Sequence, residues 1–531
     1  MGRLEQGGRR ALGDVGNSQD SACPVASFVL ETIMSAQDIK RQLTGKFRIQ
    51  RLGRVVSELT YYDTFDWRLY RNAAGLVSAP SEGSYLLSLV DLEGTTRYRM
   101  TLNSVPQFAR DLPLCQAREA LEKVTELRRF LPIARIERHS ERIAVLDRRE
   151  KIVTRLSLDR DAVLGDSTAG RLKHLRLKVE PLTGYRKEYA AIVRFLEHEA
   201  GLVRCCGSEV ERVLVTAGCC PLDYTGKLIV RLEPGIRTDT ASKQILVQLL
   251  NAVEANERGL RDDLDPEFLH DFRVAVRRTR SYLGQVKGVF ADDLERHFRG
   301  EFAWLGKLTG PTRDLDVHLL SIAGYEAEFP KTDFELMVRH LRRRRLVSRR
   351  RLLRGLDTRR YLKLKAHWNA LIGTDVDERG PKAGLPISEI AEDRIARAYS
   401  RVYKRALGLR KETPSETIHR LRIDCKRLRY LLEFFRSLCD VQQANSVIRS
   451  LKGLQDRLGL YNDLSVQQVA VREMAEELFA RSGTEASVFL SMGRLIERLE
   501  ARQKLVKSQL EKSISGFTGE KTAEALLELV R

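Results

Sequence analysis

The feature that most constrains this sequence is a stretch that occurs twice. HDFRVAVRRTRSYL begins at His270, and HRLRIDCKRLRYLL begins at His419. When the two histidines are aligned, basic residues coincide at four further positions. The matched residues are Arg273 with Arg422, Arg277 with Lys426, Arg278 with Arg427, and Arg280 with Arg429. A match of this length indicates an internal repeat, in which each copy forms one structural unit.

The repeat extends beyond these two stretches. GPTRDLDV in the first copy resembles GLYNDLSV in the second. Asp314 follows His270 at the same distance, 44 residues, as Asp463 follows His419. Two unrelated segments would not keep this register by accident. We therefore predict a duplicated helical bundle with four or more helices in each copy, related by a pseudo-two-fold axis.

Each His-led stretch predicts a helix with two different faces. At about 100° per residue, the histidine and the basic residues at offsets 3, 7 and 10 fall within a sector of about 80°. Apolar residues such as Phe272 and Val276, or Leu421 and Leu428 in the second copy, lie on the opposite side. We expect the apolar face to pack into the bundle and the other face to present a ladder of positive charge.

Other segments carry similar basic ladders, and residues 339–360 contain eleven arginines and one aspartate. Like charges three or four residues apart repel by a few tenths of a kcal/mol, so a solvated helix face normally interleaves acidic residues. The bare ladders indicate that an external anion supplies the counter-charge. Arginine suits bidentate contacts to phosphate, and a histidine adds a donor that strengthens on protonation. The candidate residues on these other ladders are Arg339, Arg343, Arg397, Arg401, Lys404, Arg405, Arg498 and Arg502.

The composition supports an anionic partner. The 531-residue chain carries a formal net charge of +20, which attracts polyanions but does not specify a fold. It has no run of eighteen apolar residues, and its opening segment lacks the apolar region of a secretory signal, so we expect a soluble, cytoplasmic protein that does not insert into a membrane. Eight cysteines in a chain of this length do not indicate a disulfide framework, and the vicinal pairs do not favour a metal site.

The two parts of the chain differ in their pattern. Before about residue 220, short segments rich in β-branched and aromatic residues are typical of antiparallel strands. After about residue 236, long segments with a 3.6-residue period predict helices. The predicted fold class is multidomain, with an α+β antiparallel-sheet domain followed by an all-α, internally duplicated helical bundle. We predict strands in YYDTFDWRLY, GSYLLSLVDLEG, TRYRMTLNSV, RIAVLDRR, KIVTRLSLD and LKHLRLKVEPL, and helices near 116–130 and 186–201.

Changes in these patterns set the expected domain boundaries. Residues 1–33 are expected to form a disordered leader, with Met34 as an alternative start. The polar segment DVDERGPKAGLPISE, which contains Gly and Pro, is expected to separate the two helical repeats. The predicted divisions are the α+β domain at 34–220, a linker at 221–238, the first helical repeat at 239–374, a link at 375–389, and the second helical repeat at 390–525.

The doubled motif carries a family resemblance. HDFRVAVRRTRSYL with RDLDV, and HRLRIDCKRLRYLLEFF with NDLSV, resemble the signature of the CHAD domain, the conserved histidine α-helical domain, over residues 236–525. This resemblance implies an internally two-fold helical structure whose basic central groove binds long-chain inorganic polyphosphate. It also implies that the groove is lined by His270, Arg273, Arg277 and Arg280 with His419, Arg422, Lys426 and Arg429.

The first part of the chain is similar to the CYTH domain, the triphosphate tunnel fold, in YYDTFDWRLYRNAAGL, LPIARIERHSER and KIVTRLSLD. CYTH phosphatases open with an ExExK strand whose glutamates hold a divalent metal, and DIKRQLTGKFRIQR lacks that pattern. HLRLKVE keeps only Glu180, and Asn103 stands near the position of the expected triphosphate-binding lysine. Because carboxylates are needed to hold Mg²⁺ or Mn²⁺, we expect no metal site, no cofactor and no hydrolysis, and a binding or docking role instead.

The sequence as a whole favours binding of inorganic polyphosphate in a basic groove between the two repeats, without intrinsic catalysis. Association with polyphosphate granules is a further hypothesis. A nucleic-acid-binding protein is the main alternative, although the ladders lack the interleaved aromatic residues that single-stranded nucleic acid favours. Two enzyme hypotheses remain: a metal-dependent triphosphatase in the CYTH-like domain, and phosphotransfer through His270 or His419.

Overall fold

The chain divides into two compact units, Met1–Thr225 and Gly226–Arg531. This division lies within the segment 221–238 that the sequence predicts as a linker. The computed structural model describes residues 25–30, 35–164, 175–205, 208–328, 330–373, 379–409, 413–480 and 483–519.

The first unit is built on one antiparallel sheet. In its described part the sheet has nine strands in the order β5-β4-β3-β2-β6-β7-β8-β1-β9. The longest pairing joins β2 to β6 through two register shifts, where bulges bend the strands. The strands are β1 (Ala26–Leu30), β2 (Arg48–Asp63), β3 (Ala74–Ser81), β4 (Ser84–Asp91), β5 (Thr96–Leu102), β6 (Leu131–Leu146), β7 (Ile152–Val163), β8 (Leu175–Pro181) and β9 (Val203–Arg204).

Helices cover parts of this sheet. They are α1 (Ala36–Lys46), α2 (Arg68–Arg71), α3 (Gln116–Thr125), α4 (Arg186–His198) and α5 (Glu209–Thr216), with a 3-10 turn at Ala109–Asp111. The start of α1 is fixed by a capping box between Ser35 and Asp38. Leu43 of α1 and Leu196 of α4 are buried in a core that also contains Leu177 of β8. The sheet therefore has an apolar side that is closed by α1 and α4.

The structure corrects the expected leader. Residues 26–30 form strand β1, which pairs with β8 and buries Ala26, Phe28 and Leu30. This alternation is only five residues long, and its pairing partner lies far along the chain, so local sequence gives little indication of it. The other residues of the predicted leader, 1–24 and 31–33, lie outside the described residues apart from residue 25.

The structure also corrects a neighbouring segment. DIKRQLTGKFRIQR, which lacks the ExExK pattern, contains most of α1 and the start of β2. YYDTFDWRLY is not one strand, because β2 ends at Asp63 and α2 follows. The buried Asp63 carboxylate accepts hydrogen bonds from the backbone N–H groups of Leu69 (2.9 Å) and Tyr70 (2.8 Å), which turns the chain. Burial raises the pKa of Asp63 to about 7.

The second unit is helical. Its described part contains nine α-helices, two 3-10 turns and only isolated β-bridges. The helices are α6 (Thr238–Asp262), α7 (Pro266–Gln285), α8 (Asp292–Ala323), α9 (Lys331–Leu356), α10 (Arg359–Gly373), α11 (Ile387–Leu407), α12 (Ser415–Phe434), α13 (Val441–Phe479) and α14 (Ala486–Thr518), with the 3-10 turns at Glu326–Glu328 and Arg436–Leu438. None of the helices in the described ranges has the length and apolar character needed to cross a membrane.

The His-led stretches are helices α7 and α12, as predicted. Asp265 caps α7 by accepting from the backbone N–H groups of Glu267 and Phe268. The predicted apolar faces are buried: Phe272 and Val276 of α7, and Leu421 and Leu428 of α12, are at most 2% exposed. The polar faces of the two helices are therefore the faces that are available to bind a ligand.

The link 375–389 is not a free tether where it is described. The backbone N–H of Gly380 donates to the Val289 carbonyl at 2.9 Å, and the N–H of Thr238 donates to the Leu385 carbonyl at 2.9 Å. Residues 374–378 lie outside the described residues, and α11 starts at Ile387. These bonds hold the start of α11 beside the start of α6.

Candidate anion-binding site

A cavity of about 1110 Å³ lies among α7, α8, α11 and α12, and we call it the central cavity. Twelve basic side chains line it, and no acidic side chain of the described residues does. They are Arg277, Arg280, Lys287, Arg296, Arg299, Lys307, Arg394, Arg397, Arg401, Arg422, Lys426 and Arg427. A cavity with this lining is suited to a polyanion.

Packing between α7 and α12 keeps their basic faces together. The ring of Tyr282 meets that of Phe434 edge-on, with centroids 5.2 Å apart. The hydroxyl of Tyr282 forms a 2.6 Å hydrogen bond with the hydroxyl of Ser242 on α6. This buried contact brings the polar sectors that carry Arg277 and Lys426 to one cavity, because each sector lies away from the packed side of its helix.

The chain itself neutralises only part of this charge. Four of the twelve cations have a carboxylate within 4.0 Å: Arg394 and Arg397 at Asp393, Arg422 at Asp463, and Arg427 at Asp424. The other eight have none among the residues that the structure describes. They are Arg277, Arg280, Lys287, Arg296, Arg299, Lys307, Arg401 and Lys426.

The effect of this crowding is largest at Lys426. Burial, followed by the charges of Arg277, Arg422 and Arg429, lowers the pKa of Lys426 to about 7. Burial and Arg277 also lower the pKa of Arg422, against the opposing effect of Asp463. An anion that entered the cavity would reverse these repulsions, since it would stabilise the charged form of each group.

Seven of the predicted site residues line the central cavity. They come from three helices, and the structure brings together side chains that are about 150 residues apart in sequence. The seven are Arg277, Arg280, Arg397, Arg401, Arg422, Lys426 and Arg427.

Several other predicted residues are engaged within the protein. Arg273 donates to the Gly306 carbonyl and the Thr309 hydroxyl, both at 2.9 Å, and so ties α7 to α8. Arg278 and Arg429 both pair with Glu433, at 2.8 and 3.3 Å. None of these three arginines lines the central cavity. Arg405 likewise pairs with Asp424, and it does not line the central cavity.

The two histidines also lie outside the cavity lining. His419 is exposed, and its Nδ1 forms a 2.7 Å hydrogen bond with the Asn462 side chain. His270 is partly buried near the start of α7. Each histidine precedes its cavity-lining partner, Arg277 or Lys426, by seven residues, which is about 10 Å along a helix. In α7 this axial distance separates His270 from the cavity lining. In α12, Arg422 lines the cavity only three residues after His419, and the His419 ring is bonded to Asn462 instead.

The remaining predicted residues lie on other surfaces. Arg339 and Lys404 are exposed and line no cavity described here. Arg498 lies over the Tyr325 ring at 5.9 Å, and Arg502 donates to the Tyr325 hydroxyl at 3.5 Å. Arg343 lines a second cavity between α8 and α9.

None of the cavity-lining residues on α8 was predicted from the sequence. Arg296, Arg299 and Lys307 follow one another at helical spacing, with Gly300 and Ala303 between them. The two small residues leave room beside the helix. This combination of a basic stripe with small residues is the signal that a search for uninterrupted basic runs overlooks. Lys287 was missed as well. Arg394 lies on the same basic ladder as Arg397 and Arg401 but was not named as a site residue.

The first unit contains a different charged site, which we call the buried ion cluster. It consists of Arg138, Arg176 and Lys178 with Asp159, Asp161 and Glu209, all within the sheet unit. Arg138 donates to both oxygens of Asp161, at 2.6 and 2.8 Å. Glu209 lies 2.9 Å from Arg138, 2.9 Å from Arg176 and 2.5 Å from Lys178.

These contacts decide the charge state of the cluster. Burial alone would raise the pKa of Glu209, but Lys178, Arg176 and Arg138 together hold it well below its ordinary value. Glu209 is therefore ionised, and the chain's own cations contact all three carboxylates. Within the described residues, no group of three or more His, Cys, Asp or Glu side chains is placed to hold a metal ion.

Comparison with known proteins finds similarity in the second unit. Residues 244–472 match the family model of the CHAD domain. The CHAD domain from the plant Ricinus communis is similar at 24% identity with a TM-score of 0.48, over 55% of this chain and 95% of that one. PptA from Streptomyces chartreusis is similar at 14% identity with a TM-score of 0.42, over 52% of this chain and 99% of that one. No protein with a curated description matches the sequence.

Proposed function

Because residues 244–472 match the CHAD domain model, we propose that this protein binds inorganic polyphosphate in the central cavity. CHAD domains are linked in general to polyphosphate binding. The proposal for this chain is carried by eight cations that have no carboxylate within 4.0 Å in the described structure. They lie on α7, α8, α11 and α12, with Lys287 two residues after the end of α7. A flexible chain of phosphates supplies the missing negative charge and gains affinity by releasing its counterions.

The lining favours polyphosphate over nucleic acid. Tyr430 is the aromatic side chain among the lining residues, and it is 2% exposed. The guanidinium groups of Arg278 and Arg429 lie 5.9 and 5.5 Å from its ring centre. Single-stranded nucleic acid gains affinity by stacking its bases on exposed aromatic rings, and the lining offers no such ring within the described residues. A ligand made only of phosphates has no bases to stack, so its affinity does not depend on such a ring.

Charge reversal inside the cavity tests the proposal. The double variant Arg277→Glu/Lys426→Glu should bind long-chain polyphosphate at least about 100-fold more weakly, because two attractive contacts become repulsive. Binding is measured by calorimetry, with circular dichroism to confirm unchanged helix content. Arg342→Glu/Arg350→Glu is the matched control, since it reverses two exposed charges on α9 outside the cavity lining. Equal affinity of wild type and the cavity variant would refute the proposal.

A competition series separates polyphosphate from nucleic acid. Long-chain polyphosphate, duplex DNA and single-stranded DNA are compared at several salt concentrations, and metal-dependent phosphate release is followed in the same samples. We expect polyphosphate to displace both forms of DNA at every salt concentration. Tighter binding of DNA would favour the nucleic-acid alternative, and metal-dependent phosphate release would favour the triphosphatase.

We extend the proposal to the architecture and the location of the protein. Helices α6 to α9 and α11 to α14 would be two copies of one duplicated unit. The sheet unit would be a CYTH-like domain with a binding or docking role, because the carboxylates of its buried ion cluster are held by cationic side chains. The whole protein would lie in the cytoplasm on polyphosphate granules, which a fluorescent fusion of wild type and of the cavity variant tests.

A further inference from the structure

We propose that the polyphosphate-binding surface continues beyond the central cavity, across α8, into a second basic groove between α8 and α9. A long chain would then occupy both sides of α8, whereas a short chain would occupy the central cavity alone. This inference rests on the proposed function, and it adds a second binding site and a dependence on chain length.

The second groove has a volume of about 630 Å³, and we call it the side groove. Lys307 lines both the central cavity and the side groove. Its neighbours on α8 divide between them, since Ala303 lines the central cavity and Trp304 lines the side groove. The two spaces therefore meet at one cationic side chain, which a continuous polyanion can contact from either side.

Four arginines of α9 fall into two groups. Arg345 pairs with Asp263 and Asp316, and Arg349 lies 3.3 Å from Asp263, so these two are neutralised by the chain. Arg343 and Arg351 line the side groove and have no carboxylate within 4.0 Å among the described residues. The arginine-rich helix thus has a structural side with Arg345 and Arg349, and a side toward the groove on which Arg343 and Arg351 lack counter-charge.

Other charged groups at the side groove leave it basic. Arg344 lies 3.3 Å from the Glu477 carboxylate. The same carboxylate lies 3.0 Å from the Nε2 atom of His340. With Lys307, Arg343 and Arg351, the groove therefore has four Lys or Arg side chains for one carboxylate within 4.0 Å among the described residues. Apolar lining residues such as Leu308 and Val347 lie between the cations. A flexible chain with a charge on every unit can reach from one cation to the next over such gaps.

Trp304 is a fluorescent side chain that lines the side groove. One side of its indole is covered by the Arg360 guanidinium, 4.4 Å from the ring centre. The indole also lines the groove, next to the residues that would hold phosphate. Its fluorescence should therefore respond to a ligand in the side groove and not to a ligand confined to the central cavity.

A length series separates this inference from the proposed function. The full-length protein is titrated with polyphosphates of increasing length to find the shortest chain that binds, and this chain is compared with a long one. Arg343→Glu/Arg351→Glu should weaken binding of the long chain by about tenfold or more and change binding of the short chain by less than about twofold. Arg342→Glu/Arg350→Glu, with the same charge change on the same helix outside the groove lining, should leave the difference between the chains intact.

The fluorescence of Trp304 should change with the long chain and not with the short one, and Trp304→Phe should remove that change. Equal losses in the two arginine pairs would indicate non-specific charge and would overturn the inference, as would undiminished long-chain binding in the groove variant. If no polyphosphate bound wild type, or if both lengths bound Arg277→Glu/Lys426→Glu normally, the proposed function itself would be wrong.

Discussion

Both units of this protein concentrate charge, but they balance it differently. In the buried ion cluster of the sheet unit, three cations meet three carboxylates at distances as short as 2.5 Å. In the central cavity of the helical unit, eight of twelve cations have no carboxylate within 4.0 Å among the described residues. A basic sequence segment is therefore informative about ligands only after the counter-charges in the fold are known.

The two arrangements have opposite energetic consequences. Removing one partner from a buried, balanced cluster leaves an uncompensated charge in a poorly solvated place, which is costly. Removing one cation from a group of like charges relieves repulsion instead. The cluster should therefore contribute to stability, and the cavity should contribute to binding at some expense of stability.

The largest expected effect is at Glu209. Glu209→Gln should destabilise the first unit by about 3–5 kcal/mol, because Arg138, Arg176 and Lys178 would share one carboxylate fewer. Urea unfolding followed by hydrogen exchange in β6 to β8 measures this. Glu199→Gln, which breaks an exposed pair with Lys46, should cost at most about 1 kcal/mol. A similar small cost at Glu209 would mean that the cluster does not stabilise the sheet.

A smaller effect concerns protons at Lys426, which faces Arg277 on α7, Arg422 and Arg429 on α12, and Asp463 on α13. Its pKa in the free protein is about 7, below its ordinary value of 10.5, and bound phosphate should raise it again. Binding near pH 8 should therefore take up close to one proton, and affinity should fall as pH rises from about 7.

Calorimetry in two buffers of different ionisation enthalpy measures this uptake. Lys426→Arg keeps the charge but does not titrate in this range, so it should bind polyphosphate with less proton uptake. Equal uptake in wild type and Lys426→Arg would place the titrating group elsewhere.

The smallest expected effect is that of the sheet unit on binding. Deleting residues 1–220 should change polyphosphate affinity by less than about twofold, because every residue that lines the central cavity lies in the second unit. The deleted form is first checked for helix content by circular dichroism. A large loss of affinity in a correctly folded deletion variant would mean that the sheet unit also contributes to polyphosphate binding.

The local part of this organisation could be predicted from the sequence. The apolar and basic faces of α7 and α12 follow directly from residue spacing, and they place Arg277 and Lys426 at the cavity. Local spacing does not say which of two neighbouring polar positions meets another helix. Arg273 and Arg278 were therefore predicted as ligands, although one bonds to α8 and the other to Glu433.

The remainder depended on contacts between distant segments. The stripe that contains Arg296 and Lys307 lies on a helix that also carries Glu295 and Glu301, so its overall composition is not strongly basic. In the structure Glu295 accepts from backbone N–H groups at residues 288–290, and Glu301 pairs with Arg360, so neither neutralises the stripe. Only the packing of α8 against its neighbours shows that these glutamates are engaged elsewhere and leave the basic stripe without counter-charge.

The most direct test of the central claim is the stability of Lys426→Met measured together with its affinity. Urea unfolding of the second unit is followed by hydrogen exchange in α7 and α12, and polyphosphate binding is measured on the same preparation. We expect unchanged or greater stability of the free protein, with about tenfold or greater loss of affinity. Destabilisation as large as that expected for Glu209→Gln, with affinity retained, would contradict the account, because Lys426 would then be a structural cation.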